Sequence, residues 1–154
     1  MNRELAIIQK IFKISAVYNI YLNQNYDENE LYKICQDAPK IIIQEFKLDQ
    51  EEEIKQMFLE AKPVLKGYFR EILNQKSELE EIVSRNLDKW RFKRLNTIVK
   101  SLLITSVYDF YNTNRSKNVI FNETLEIAKI YLTEPEKNFI NKILDKVIND
   151  STFE

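Results

Sequence analysis

Acidic residues crowd two short stretches of this 154-residue chain, "DQEEEIK" at 49–55 and "SELEEIV" at 77–83, and basic ones crowd a third, "KWRFKR" at 89–94. Two carboxylates held close together can divide the roles of general acid and general base. No neighbouring motif singles out one pair, however. Acids in the first turn of a helix answer the positive end of its dipole, which accounts for these stretches without catalysis. In the basic stretch, Lys89, Arg91, Lys93 and Arg94 surround Trp90 and Phe92. Cations beside aromatic rings suit single-stranded nucleic acid, through phosphate charge and base stacking. Trp90, at the end of an amphipathic segment, can instead anchor a core, with the charges flanking a loop.

The residues that are missing exclude more. The chain has no His, which removes the commonest general base and the commonest metal ligand. It has no Gly-rich phosphate loop and no nucleophile elbow. Cys35 stands alone, so neither an intrachain disulfide nor a cysteine-only metal site can form, and its spacing in "LYKICQ" fits a buried helix position. No cofactor and no metal are expected. With 23 Lys and Arg against 24 Asp and Glu, the net charge is −1, so any contact with nucleic acid must come from a local patch. No charged-then-apolar leader opens the chain, and no apolar run approaches the roughly 18 residues of a membrane span, which points to a reducing cytoplasm.

The elements that must position any site are helical. One Gly and three Pro are too few for the tight turns of a sheet protein, while 44% hydrophobic residues suffice for a sizeable core. Residues 3–22 place Leu5, Ile8, Phe12, Ala16 and Ile20 at helical spacing, with Ile7, Ile11, Ile14, Tyr18 and Leu22 as a second apolar row. The leftover stripe carries Arg3, Lys10 and Lys13. Capping boxes are read at Asp27/Glu30, Asp49/Glu52, Ser77/Glu80 and Thr133/Glu136. Pro39, Pro63 and Pro135 belong in or near first turns, and Asp37 and Asn122 can serve as caps. At Asn122, the preceding Ile120 and Phe121 suit a hydrophobic staple. These signals predict an all-α chain forming one domain over 1–154, with subdomains of roughly 1–75 and 76–150.

Four phrases carry a resemblance. "LEEIVSRNLDKW", "RLNTIVKSLLITSVYDF", "VIFNETLEIAK" and "FINKILDKVI" follow one another at 79–90, 94–110, 119–129 and 139–148. In this order they resemble the NusB family of transcription antitermination factors, whose corresponding words include "V-A-I-N-E-A-V-E-L-A-K" and "F-V-N-G-V-L-D-K-I". Asn122, Glu123, Glu126, Ala128 and Lys129 match the first of these, and Phe139, Asn141, Leu144, Asp145 and Lys146 the second. The N-terminal half matches less well. In "KISAVYNIYL", Ser15 and Tyr18 stand where the family has Gln and Tyr, and its Arg cluster has shrunk to Arg3, Lys10 and Lys13. Lys142 stands where the family has Gly, and Lys100 where it has an acid.

The resemblance implies about seven helices in two packed helical bundles and a non-enzymatic role. It implies binding to the boxA element of ribosomal RNA leaders together with the small-subunit ribosomal protein NusE, within an antitermination complex on RNA polymerase. The RNA surface of the family lies on the first helix and the edge of the last. Carried onto this sequence, that gives Arg3, Lys10, Lys13 and Tyr18, and Lys137, Asn141 and Lys142. Such a set combines cations for phosphate with groups for unstacked bases. An ordinary solvated face is the competing reading of the charges, and Asn141 can equally satisfy a buried backbone group. Tyr108 and Asp109 are the expected protein-partner residues, or else a ring that packs while its hydroxyl reaches water. The apolar breadth of the first helix leaves room for a homodimer. Two alternatives stand beside the main reading. One is a diverged scaffold that keeps protein contacts without RNA binding. The other is a fragment of a ribosomal RNA cytosine methyltransferase, whose N-terminal domain shares this fold.

Overall fold

The computed structural model describes residues 3–22, 51–89 and 91–150, with some side chains inside the first two helices left out. Among the described residues the regular structure is helical throughout: α1 (Arg3–Leu22), α2 (Glu51–Arg85), a 3-10 turn (Phe92–Arg94), α3 (Thr97–Asn112), α4 (Lys117–Tyr131) and α5 (Glu134–Ile148). Cys35, Trp90, the Asp27 box, the Asp37 cap, Pro39, Asp49 and the side chain of Arg3 lie outside the described residues. The chain forms two compact units, Met1–Leu73 and Asn74–Glu154.

In the first unit, most of both apolar rows of α1 is buried, while Tyr18 is half-buried and Leu22 at the end of the second row is exposed. Ile7, Ile8, Ile11, Phe12, Ile14, Ala16, Val17 and Ile20 are all buried. The first part of α2 contributes Leu65, Tyr68, Phe69 and Ile72 to the buried set.

The helix α2 departs from the sequence expectation. It is one element of 35 residues that carries Pro63 in its interior and runs straight through Ser77. The apolar row Leu65, Phe69, Ile72, Leu79 and Val83 keeps one face past Ser77, and burying that row outweighs the start signal there. Inside the helix the backbone amide that a Ser77 cap would satisfy already has a carbonyl partner. A Lys76–Glu80 pair at 3.1 Å instead reinforces the turn. The expected starts at Pro63 and Ser77 therefore fall inside one continuous helix.

In the second unit, α3, α4 and α5 pack against one another pairwise. Every residue of α3 from Ser101 to Phe110 is buried, so this helix forms the centre of the unit. Its start is fixed by Asn96, whose side-chain oxygen accepts the Val99 amide at 2.8 Å. The helix α5 begins with the expected capping box of Thr133 and Glu136. The helix α4 starts at Lys117, five residues before Asn122. Asn122 is therefore an exposed interior residue rather than a cap. Ile120, Thr124, Ile127 and Ala128 form the buried face, and Ile120 can join it only from inside the helix.

Candidate nucleic-acid interface

The outer side of α5 is set by its inner one. Ile140, Ile143, Leu144 and Val147 are buried at three-and-four spacing, which turns Asn138, Asn141, Lys142, Asp145 and Asn149 outward into solvent. The amides of Asn138 and Asn141 make no side-chain hydrogen bond among the described residues, so both can offer a donor and an acceptor to a base edge. Of the expected residues, Asn141 and Lys142 thus share one exposed face. Lys137 sits one turn earlier, half-buried, with Nζ 3.9 Å from Glu134.

The cations here are not bare. Asp88, in the segment after α2, places Oδ2 2.8 Å from Lys146 Nζ and 3.7 Å from Lys142 Nζ. The hydrogen bond from Lys146 and its positive charge hold the Asp88 carboxyl below its ordinary range, with Lys142 adding to the effect. Asn138, Lys146 and Asp88 were not among the site residues expected from the sequence. Lys146 could have been found as the residue four after Lys142, whereas Asp88 is 58 positions from Lys146 and no local pattern joins them.

Beside α5 runs the basic segment. Lys89, Arg91, Lys93 and Arg94 are exposed and have no ion pair among the described residues. Phe92 between them is buried, with Lys100 Nζ 5.7 Å from its ring centre. An open depression of about 400 Å³ lies between Arg94, Leu95 and Val99 on one side and Pro135 and Phe139 on the other. Asn96 donates to Glu136 there, joining the first turns of α3 and α5. Glu136 also accepts from the Thr133 amide at 3.1 Å, and these bonds depress its carboxyl pKa, the Thr133 amide contributing most.

Other expected site residues differ in exposure from the solvated positions that the sequence suggests. Lys10 is 2% exposed, because the buried arc of α1 takes in Lys10 and Asn19 beside the apolar residues. Lys13 is half-buried with its ammonium 5.3 Å from the Tyr68 ring centre, and Tyr18 is half-buried on the same helix. Tyr108 and Asp109 are also buried, as members of the enclosed run of α3. The electrostatic environment of Asp109 includes Arg115, whose guanidinium is bound mainly by Glu123.

Comparison with known proteins agrees with this architecture. Residues 9–149 match the model of the NusB family. The chain is 34% identical over 110 residues to the transcription antitermination protein NusB of Bacillus cereus, covering 71% of this chain and 78% of that protein. It is 42% identical over 77 residues to the protein of that name from Listeria innocua, a match spanning 49% of this chain and 60% of the relative. The chain therefore aligns with less than two thirds of the Listeria protein. The solved structure of T. maritima NusB superimposes with a TM-score of 0.66 at 25% identity, over 97% of this chain and 92% of that one. A family pattern spanning nearly the whole sequence, together with a shared helical fold, places this chain in the NusB family.

Proposed function

We propose that this protein is an RNA-binding transcription antitermination factor, acting with a NusE-type ribosomal protein on boxA-type RNA of ribosomal leader transcripts in the cytoplasm. The observation that supports this most directly is the exposed strip of α5, where Asn138 and Asn141 stand unengaged beside Lys142. Amides at helical spacing with a flanking cation suit single-stranded RNA, whose unstacked bases present hydrogen-bonding edges. The role is one of binding, carried by a rigid helical surface. The names of the relatives as transcription antitermination proteins agree with it. Among the described residues no helix is long and apolar enough to cross a membrane.

The charge balance sets the strength of the interaction. Lys137, Lys142 and Lys146 each face a carboxylate, and Lys10 is buried. The phosphate contribution is then small, and useful affinity for RNA depends on the ribosomal partner. Titrating a boxA oligonucleotide with the protein alone and with the purified partner, at several salt concentrations, tests this. Tighter binding in the presence of the partner is the expected outcome; equal affinity in both arms would refute it.

The same compensation of charges favours a second reading, a scaffold that retains protein contacts and has lost RNA binding. Capture of the ribosomal partner without any shift of RNA would select that reading. Because Tyr108 and Asp109 are buried, a role for them at a partner surface would be exerted through the packing of α3 against its neighbours.

A further inference from the structure

Asp88 occupies an unusual place on the face just described. Its side chain is 62% exposed, and one oxygen, Oδ2, approaches two lysine ammonium groups one helical turn apart on α5. Lys142 and Lys146 are separated by four residues and lie on one side of the helix. Two ammonium groups converging on one oxygen form the arrangement that takes a phosphate oxygen of a nucleic-acid backbone.

We infer that Asp88 is an intramolecular stand-in for a backbone phosphate, occupying a two-lysine site that single-stranded RNA must take from it. This inference rests on the RNA-binding reading of α5 and adds a site and its control to it. The phosphodiester competes with a carboxylate that is tethered and always present, so RNA that gains only weak contacts elsewhere is rejected. The contact is reversible at little cost. The pair lies at the surface, where ion pairs contribute little to stability, so releasing Asp88 leaves the fold intact. The lowered carboxyl pKa of Asp88 agrees with a group held by both lysines, Lys146 first. Lys89 and Arg91, exposed in the same connecting segment, would meet the neighbouring phosphates once Asp88 has swung aside.

The test compares the protein with Asp88→Asn, Asp145→Asn and Asp88→Asn/Lys142→Ala/Lys146→Ala, using a boxA-type oligonucleotide over a series of salt concentrations. Asp145 is an exposed acid on α5 that pairs with neither lysine, so its variant measures the general effect of removing one negative charge. Asp88→Asn should bind about three- to tenfold more tightly. Its plot of log affinity against log salt should be steeper by about 0.7 for each phosphate gained. The gain should vanish in the triple variant and be small in Asp145→Asn. An Asp88→Asn protein that binds no more tightly than the parent, or no more tightly than Asp145→Asn, overturns the inference and leaves the RNA-binding function standing. Absence of RNA binding in the parent and every variant, with and without the ribosomal partner, overturns the function and the inference together.

Discussion

Arg115 donates to Glu123 Oε2 at 2.6 Å, so a residue of the loop between α3 and α4 closes over a carboxylate that is only 5% exposed. The pair explains the acid of the "FNET" phrase in physical terms. Glu123 lies on the inner side of α4, where an ionised carboxylate needs a partner of opposite charge. Arg115 supplies it and is held more firmly protonated by that bond and by the charges of Glu123 and Asp109.

Removing Arg115 should therefore cost more than its position in a loop suggests. Arg115→Ala leaves the Glu123 charge buried and uncompensated. The expected loss is about 2–3 kcal/mol, less than for a wholly enclosed pair because Arg115 is 39% exposed. Urea denaturation measures it. Arg115→Ala/Glu123→Gln should recover part of the loss, and independent, additive effects would contradict the account.

A second buried contact joins α3 to α4. Ser106 Oγ and Thr124 Oγ1 are 2.6 Å apart. Thr124 donates its hydroxyl proton to the Ile120 carbonyl at 2.8 Å, so Ser106 is the donor between the two hydroxyls. Thr124→Val keeps the volume and strands the Ser106 hydroxyl, at a cost of about 1–3 kcal/mol in thermal or chemical unfolding. Ser106→Ala/Thr124→Val should be closer to the parent than Thr124→Val alone.

The stability of the second unit should fall in acid through Glu136. Its folded pKa is below the usual 4.5, held there by Thr133 and Asn96. A carboxyl depressed by folding contributes stability above its unfolded pKa and loses it as pH falls through the folded value. Asp88 follows the same sign. Unfolding measured from pH 7 to pH 2 should show stability dropping below about pH 4.5, and Glu136→Gln should flatten that slope while lowering stability at neutral pH. An unchanged slope in the variant would argue against the capping account.

Pro63 offers an opposite case. It is exposed inside α2 and cannot donate an amide to the carbonyl four residues earlier. Pro63→Ala should stabilise the protein by about 1–3 kcal/mol in denaturant unfolding, with no change in RNA binding. Destabilisation would mean that the helix depends on a bend at this point.

On the proposed RNA face, Asn141→Ala should weaken boxA binding by about fivefold, the equivalent of one hydrogen bond of about 1 kcal/mol. Lys142→Ala should instead reduce the salt slope by up to about 0.7. Filter binding at graded salt separates the two. Equal loss of slope in both variants would remove the distinction between base reading and phosphate contact.

The sequence alone determined the helical class and the Thr133/Glu136 cap, because each depends on residues within one or two turns of one another. Its four phrases also pointed to the family, and composition excluded histidine chemistry and any thiol site needing two cysteines. Tertiary structure decided the rest. Local chemistry offered a start at Ser77 and a cap at Asn122, and burial of the apolar face of each helix overrode both, while the helix also runs on through Pro63. Burial likewise drew in Lys10 and the Tyr108–Asp109 step, which periodicity and charge left at the surface. The pairings Arg115 with Glu123 and Asp88 with Lys146 are made across a loop and across 58 positions. A charge is recognisable from its residue, but its partner is fixed only when separate helices have packed, since the ion pair depends on distance in space rather than along the chain.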